Sequence, residues 1–290
     1  MEPGEPSPTG AKSQSGLLPG LYLVATPIGN ARDTSLRALD VLRNCDLIAA
    51  EDTRVTAKLL AIHAIRNSLR AYNDYNAASE RPKLLARLKD EARVALVSDA
   101  GTPLISDPGF KLVRECLREG VAVHVVPGAC AAIAALTASG LPTDRFLFAG
   151  FPPAKAGERR TFLGELKSIP ATLVFYESPQ RLAESLGAMA EIFGARESVV
   201  AREITKLHEE FRRGALGELA SATTEPVRGE ITIVVGPPAA CEPDYEKADR
   251  LLNAALAFMP LRAAADLVAD ALSLSRRETY ARALSRKSSA

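Results

Sequence analysis

The sequence predicts an α/β protein built as two α/β domains followed by a small C-terminal helical module. Three observations predict it. Short apolar strand-like runs alternate with amphipathic helical segments through the first half, the pattern of a mostly parallel sheet covered by helices. After Pro127-Gly128 the pattern restarts with strand-like runs set closer together, which suits antiparallel pairing and a mixed sheet. Beyond a proline-rich stretch at 237–243, leucines recur at helical spacing. Divided this way, the chain has a disordered lead at 1–18, an N-terminal α/β domain at 19–127, a C-terminal α/β domain at 128–238 and a helical tail module at 244–290.

The elements follow in order. Residues 21–25 form a strand ending in the breaker-rich loop Thr26-Pro27-Ile28-Gly29-Asn30. Asp33 or Thr34 caps a helix running through Arg43, with Leu36, Leu39 and Leu42 on one face. A strand at 46–50 ends at Glu51-Asp52-Thr53-Arg54, and a helix covers 55–63. Residues 69–72 form a third strand, 82–92 a helix, and 94–98 a buried strand running into the loop 98–109. A helix at 110–119 closes at Gly120, and 121–126 is a strand. The second half reads as helix 129–139, strand 145–150, helix 158–167, strand 172–176 and helix 179–193. Three strands follow at 198–202, 210–214 and 230–235. In the tail, Pro260 opens a second helix and Ser275 caps a third.

Composition excludes several classes. The formal net charge of the 290 residues is only +1, so contact with nucleic acid must come from local basic clusters rather than an overall field. The four cysteines (Cys45, Cys116, Cys130 and Cys241) form no C-x-x-C pair and read as small hydrophobes in a reducing cytoplasm, not as a disulfide framework or zinc site. The three histidines are scattered, His124 within an apolar strand where it reads as a core residue, and no metal site is expected. No apolar run reaches the roughly 20 residues of a membrane span, and the Pro/Gly/Ser-rich start lacks a signal-peptide core.

Ligands of open α/β sheets bind beyond the C-terminal strand ends, and three polar, glycine-rich loops lie there: 26–33, 51–54 and 98–109. In the third, Gly101 lets backbone approach a ligand and Pro103 and Pro108 stiffen the turn; a plain β–α turn is the alternative. Neither a G-x-x-x-x-G-K-[ST] nor a G-x-G-x-x-G string is present, which argues against a P-loop NTPase and a standard dinucleotide enzyme. In the second loop, Glu51 and Asp52 can accept a proton from a substrate hydroxyl and Arg54 can grip a phosphate; a helix N-cap cluster is the alternative.

The strings Ala25-Thr-Pro-Ile-Gly-Asn30, Ala50-Glu-Asp-Thr-Arg54 and 98–109 (SDAGTPLISDPG) resemble the tetrapyrrole methylase superfamily. With Pro127-Gly-Ala-Cys130, Phe175-Tyr-Glu-Ser-Pro179, Arg202-Glu-Ile-Thr-Lys206 and Arg228-Gly-Glu-Ile231, the chain is similar to the branch that 2′-O-methylates ribose in small-subunit ribosomal RNA. The resemblance covers about 20–238 and implies two α/β domains with a cofactor cleft between them, and S-adenosylmethionine as methyl donor. It also implies a homodimer acting on a cytidine ribose in the decoding region of 16S rRNA, within the assembled small subunit. Residue by residue, it implies cofactor contacts at Pro27, Ala100, Gly101, Thr102, Ile105, Cys130, Ala131, Glu177, Ile204, Glu230 and Thr232. Asn30 and Arg54 are implied to contact substrate, and Glu51, with Asp52 beside it, falls at an acidic catalytic position. The chain departs from the branch at Tyr72-Asn-Asp-Tyr-Asn76, where a histidine-rich stretch is usual; Tyr72 or Tyr75 would be the residue to stack on a base. The rival acceptor is a precorrin or another small molecule. Arg262, Arg276, Arg277, Arg282, Arg286 and Lys287 make the tail a candidate for docking on RNA backbone, a solvated helix face being the alternative.

Overall fold

The computed structural model describes residues 16–105, 109–223, 227–239, 245–272 and 274–287. Most of the expected lead, Ser106, Asp107 and Pro108 of the third loop, and Cys241 and Pro243 lie outside these residues. The chain divides into two compact units, one ending at Pro237 and the other starting at Pro238.

The first unit carries two five-stranded sheets. In the first, β1 (Gly20–Val24), β2 (Leu47–Ala50), β3 (Leu69–Ala71), β4 (Arg93–Val97) and β5 (Val123–Val126) stand in the order β3-β2-β4-β1-β5, all parallel. Helices α1 (Leu36–Asn44), α2 (Thr53–Ile62), α3 (Ala77–Lys89) and α4 (Phe110–Arg118) connect them. Strand alternation sends Tyr22, Ile48, Ala50, Ala95 and Val97 into one core with Val41, Leu42 and Leu60 from α1 and α2. Leu21, Leu47, Ala49, Val94 and Leu96 enter the opposite core with Leu84, Leu88 and Leu112 from α3 and α4. Burial on both faces is why these strands read as continuous apolar runs.

The second sheet, in the order β6-β7-β10-β8-β9, is mixed. It comprises β6 (Phe146–Gly150), β7 (Thr172–Glu177), β8 (Glu197–Arg202), β9 (Glu210–Ala215) and β10 (Ile231–Val235), of which β6 and β7 pair parallel and the rest antiparallel. Leucines and aromatics of α6 (Ala156–Leu166), α7 (Leu182–Phe193) and α8 (Leu216–Ala222) pack on one face, and Ala132, Ala135 and Leu136 of α5 (Ala131–Ser139) on the other. The second unit is three helices, α9 (Tyr245–Leu256), α10 (Leu261–Leu272) and α11 (Arg276–Lys287), around Ala248, Leu252, Ala265, Val268 and Ala283. Its third helix is capped by the Ser275 hydroxyl, which accepts from the Glu278 N–H at 3.4 Å. No helix among the described residues is long and apolar enough to cross a membrane.

In local detail the structure departs from the sequence pattern. Ser35, not Asp33 or Thr34, caps α1, its hydroxyl accepting from the Ala38 N–H at 3.1 Å. That shift turns Leu36 out to 81% exposure, and Ala38, Val41 and Leu42 form the buried face. Helix α3 starts at Ala77, ahead of Pro82, because Asn73 and Asn76 bond reciprocally (2.9 and 3.3 Å) and Asn76 ties back to the Ala71 carbonyl at 3.0 Å. Tyr72 is 1% exposed and so is unavailable for stacking on a base, whereas Tyr75 is fully exposed. His124 is half-buried on edge strand β5, stacked on Tyr22 at 4.5 Å, rather than a core residue. Helix α8 stands between β9 and β10, where the sequence pattern predicts no element.

Candidate active site

The first loop leaves β1, the third leaves β4 and Pro127-Gly128 leaves β5, so all three emerge at one end of the parallel sheet. They are tied together there. Thr26 and Gly101 exchange backbone hydrogen bonds of 2.9 and 3.1 Å, and the Thr102 hydroxyl donates to the Ala129 carbonyl at 3.0 Å. Gly101 has φ +83°, a conformation that side chains rarely adopt, and a Cβ there would meet Ile28 Cγ2 at 3.3 Å.

The second sheet reaches the same place. The Asn30 N–H donates to Thr205 Oγ1 at 3.1 Å. Gly29 approaches the 204–206 segment so closely that a Cβ would stand 2.5 Å from Lys206 Cγ. This segment is bent through Glu203 (φ +52°) and Thr205 (φ +67°), left-handed positions that cost non-glycine residues free energy. It is held by Lys206, which pairs with Glu203 at 2.8 Å and Glu230 at 3.0 Å.

Between the sheets lies a cavity of about 430 Å³, within the usual range for small-molecule sites. Its lining contains nine of the eleven expected cofactor residues: Ala100, Gly101, Thr102, Ile105, Cys130, Ala131, Glu177, Glu230 and Thr232. Pro27 lines a neighbouring cavity instead, and Ile204 packs against the core beside α5. The lining also holds Phe151 and Tyr176, which sequence reasoning missed. Their rings meet edge to face at 5.6 Å, and the Tyr176 hydroxyl accepts from the Ala132 N–H in the first turn of α5 at 3.2 Å. The signal was present in Phe175-Tyr-Glu-Ser-Pro179: on a strand, Tyr176 must point away from the buried Phe175.

Glu177 lines the cavity but its carboxylate is engaged within the protein. It pairs with Arg181 at 2.6 Å, accepts from the Ser178 N–H at 2.7 Å and takes the Ser185 hydroxyl; the side chain is fully buried. Asn30 is likewise engaged, its side chain accepting from the Arg32 N–H at 3.1 Å.

The acidic loop divides into separate roles. Asp52 is the N-cap of α2, accepting from the Arg54 N–H at 2.8 Å and pairing with the Arg54 guanidinium at 2.6 Å. That hydrogen bonding holds its carboxyl at about 2, so it is a poor proton acceptor near neutrality. Arg54 remains highly exposed. Glu51 Oε2 accepts from the Asp99 N–H at 3.3 Å, while Asp99 Oδ1 accepts from the Asp52 N–H at 2.8 Å. Burial raises the pKa of Glu51, and the neighbouring Asp99, Asp74 and Asp52 add to the rise; burial also raises that of Asp99. Neither Glu51 nor Asp52 lines the donor-sized cavity. Among the described residues, no cluster of three or more His, Cys, Asp and Glu is arranged to hold a metal.

In the helical unit, Arg276 pairs with Asp270 at 3.1 Å, and Arg282 and Arg286 both pair with Asp249 at 2.7 Å. Three of the tail's expected basic contacts are therefore partly neutralised. The Lys287 side chain lies outside the described residues.

Two sheets with a ligand-sized cavity between them, at the strand ends of the first, define a small-molecule-dependent α/β enzyme. Residues 20–220 match the tetrapyrrole (corrin/porphyrin) methylase family model, and the chain belongs to that family. Residues 242–287 match the RsmI C-terminal HTH domain. The chain is similar over nearly its whole length to proteins named ribosomal RNA small subunit methyltransferase I. The Mesorhizobium japonicum protein is 50% identical (93% of each chain covered), and that of Pseudomonas aeruginosa 46% (92% of this chain, 97% of that one). Among solved structures, the fold is shared with a diphthine synthase (TM-score 0.59, 16% identity, 74% of this chain and 89% of that one). It is also shared with uroporphyrin-III C-methyltransferase of Thermus thermophilus complexed with S-adenosylhomocysteine (TM-score 0.53, 24% identity, 75% and 97%).

Proposed function

We propose that this chain transfers a methyl group from S-adenosylmethionine to the 2′-hydroxyl of a cytidine in the decoding region of 16S rRNA. The observation that carries the reading is the cavity between the sheets, with its lining of small residues and open backbone around Gly101. It fits an amino-acid tail joined to a nucleoside. Ala100, Gly101 and Thr102 offer backbone groups and little bulk to the methionine part, Ile105 offers it an apolar side chain, and Cys130 and Ala131 line the same cavity. Phe151 and Tyr176 offer aromatic faces to the adenine, and Glu230 and Thr232 offer polar atoms.

When bound, the donor supplies a methyl group already activated by its sulfonium. What remains for the protein is alignment and removal of one proton. Alignment falls to the stitched loops at Thr26, Gly101 and Ala129. The exposed Arg54 suits the RNA backbone, and Glu51 acts from behind Asp99 by fixing its N–H. Full-length similarity to the relatives named above supports ribosomal RNA over a precorrin as acceptor. We further infer that the protein works in the cytoplasm as a homodimer on the assembled small subunit, with the tail unit at the RNA.

The test is ribose-methylation mapping of 16S rRNA from a strain lacking the gene. One decoding-region cytidine should be unmethylated there and regain its 2′-O-methyl group when purified protein and S-adenosylmethionine are added to its small subunits. An unchanged methylation map in the deletion strain contradicts the proposal.

A further inference from the structure

A second cavity of about 270 Å³ lies beside the first. The two share Ile28, Ala100 and Glu230 in their linings, so they adjoin along one edge. A transferase needs its second substrate at such a junction, because the reacting atoms must meet in line at close range. The second cavity falls just below the roughly 300–1,000 Å³ of drug-sized ligand sites, a volume suited to one nucleoside rather than a macrocycle.

Its lining has two characters. Val55, Leu59 and Ile62 recur at helical spacing on α2 and form an apolar side; Val55 is 39% and Ile62 66% exposed, an uncovered surface for the face of a base. Asp99 lies in the same lining, directly before Ala100, which lines both cavities. Its Oδ1 accepts from the Asp52 N–H, and among the described residues its Oδ2 has no hydrogen-bond partner. Lys58 also lines the cavity and makes no ion pair among the described residues, which leaves its ammonium for phosphate.

We propose that this second cavity seats the acceptor nucleoside of a single-stranded RNA segment, base against Val55, Leu59 and Ile62, and that the Asp99 carboxylate takes the proton of its hydroxyl. The inference rests on the methyl-transfer reading above. In the step, a bond forms between the hydroxyl oxygen and the methyl carbon. The carbon–sulfur bond breaks with its electron pair returning to sulfur, and the hydroxyl proton passes to Asp99. Glu51 is then a positioning residue, through the Asp99 N–H. The charged groups around Asp99 are Glu51, Asp52 and Arg54 on the acidic loop, and Lys58, Lys206 and Glu230 in the cavity lining.

Two variants test it in the full-length protein, with S-adenosylmethionine affinity read by calorimetry and methyl transfer read on small subunits lacking the modification. Val55→Trp fills the cavity from a partly exposed position; it should raise the KM for subunits at least about tenfold and leave donor affinity within twofold. Asp99→Asn keeps an oxygen for the Asp52 N–H; it should lower kcat about 10²–10⁴-fold, the usual worth of a general base, and abolish the fall in rate toward acid pH. Donor and subunit affinities should hold. An unchanged KM in Val55→Trp, or a wild-type kcat and acid limb in Asp99→Asn, overturns the inference while wild-type activity upholds the methyl-transfer reading. A wild-type protein that binds donor and methylates no RNA overturns both.

Discussion

Replacing Gly101 by alanine tests how the site is held. Gly101 sits at φ +83° and exchanges two backbone hydrogen bonds with Thr26, so the conformation is fixed from outside the turn. An L-residue forced into the left-handed region costs about 1–2 kcal/mol. For a unit of this size, 1 kcal/mol moves Tm by about 2–4 °C, so the unfolding midpoint should fall by about 2–8 °C. The added methyl would also meet the Ala129 carbonyl at 3.5 Å and Ile28 Cγ2 at 3.3 Å, and Ile28, like Gly101 itself, lines the donor cavity. Donor affinity should therefore fall about tenfold, or about 1.4 kcal/mol. Gly120 supplies the control: its φ is +71°, a Cβ there meets nothing within 4 Å, and it closes α4 away from the cavity. Gly120→Ala should lose similar stability and keep its donor affinity. Differential scanning calorimetry and isothermal titration on the two variants decide the matter. An unchanged midpoint in Gly101→Ala, or equal loss of donor affinity in both variants, refutes the reasoning.

Two further substitutions probe the carboxylates. Glu177→Ala removes a fully buried carboxylate from Arg181, Ser185 and the Ser178 N–H; breaking a buried pair costs about 3–5 kcal/mol, and the lower end applies because Arg181 keeps some solvent. Chemical denaturation should register that loss, and a variant of wild-type stability would show the pair to be dispensable. Glu51→Gln should raise the unfolding midpoint at neutral pH. The folded pKa of Glu51 is raised by burial, so the fold carries a penalty for its charge above that pKa and none below its unfolded value of about 4.3; the variant's advantage should fade as pH falls through this window. An advantage independent of pH would exclude a charge effect.

Much of this was legible in the residues. The central strands of the first sheet could be read because burial on both faces makes them continuous apolar runs, as in Leu47–Ala50 and residues 94–97. The loops were legible because glycine and proline mark strand ends, and Gly101 does stand where only glycine is comfortable. Capping was harder: Asp33, Thr34 and Ser35 are all competent caps, and only the packing of Ala38 and Val41 selects Ser35. Pro82 hid the start of α3, since the paired asparagines that begin it look like a loop. Within the site, spacing could not separate a carboxylate facing a ligand from one engaged in the fold. Asp52 and Glu177 are of the second kind, whereas Asp99, which in sequence is one polar residue of a turn, lines a cavity. The cavities themselves arise where the loop at Gly29 meets the segment at Thr205, 175 residues further along the chain than Asn30, a distance no local pattern spans.

On the proposed function, the cavity between the sheets delivers a methyl group to a ribose oxygen of small-subunit RNA. The direct measurement is transfer of labelled methyl from S-adenosylmethionine to unmodified small subunits, followed by complete digestion to nucleosides and chromatography. The label should elute as 2′-O-methylcytidine, one methyl group per subunit. Label on a base, or no label in RNA while the protein binds the donor, would contradict the account.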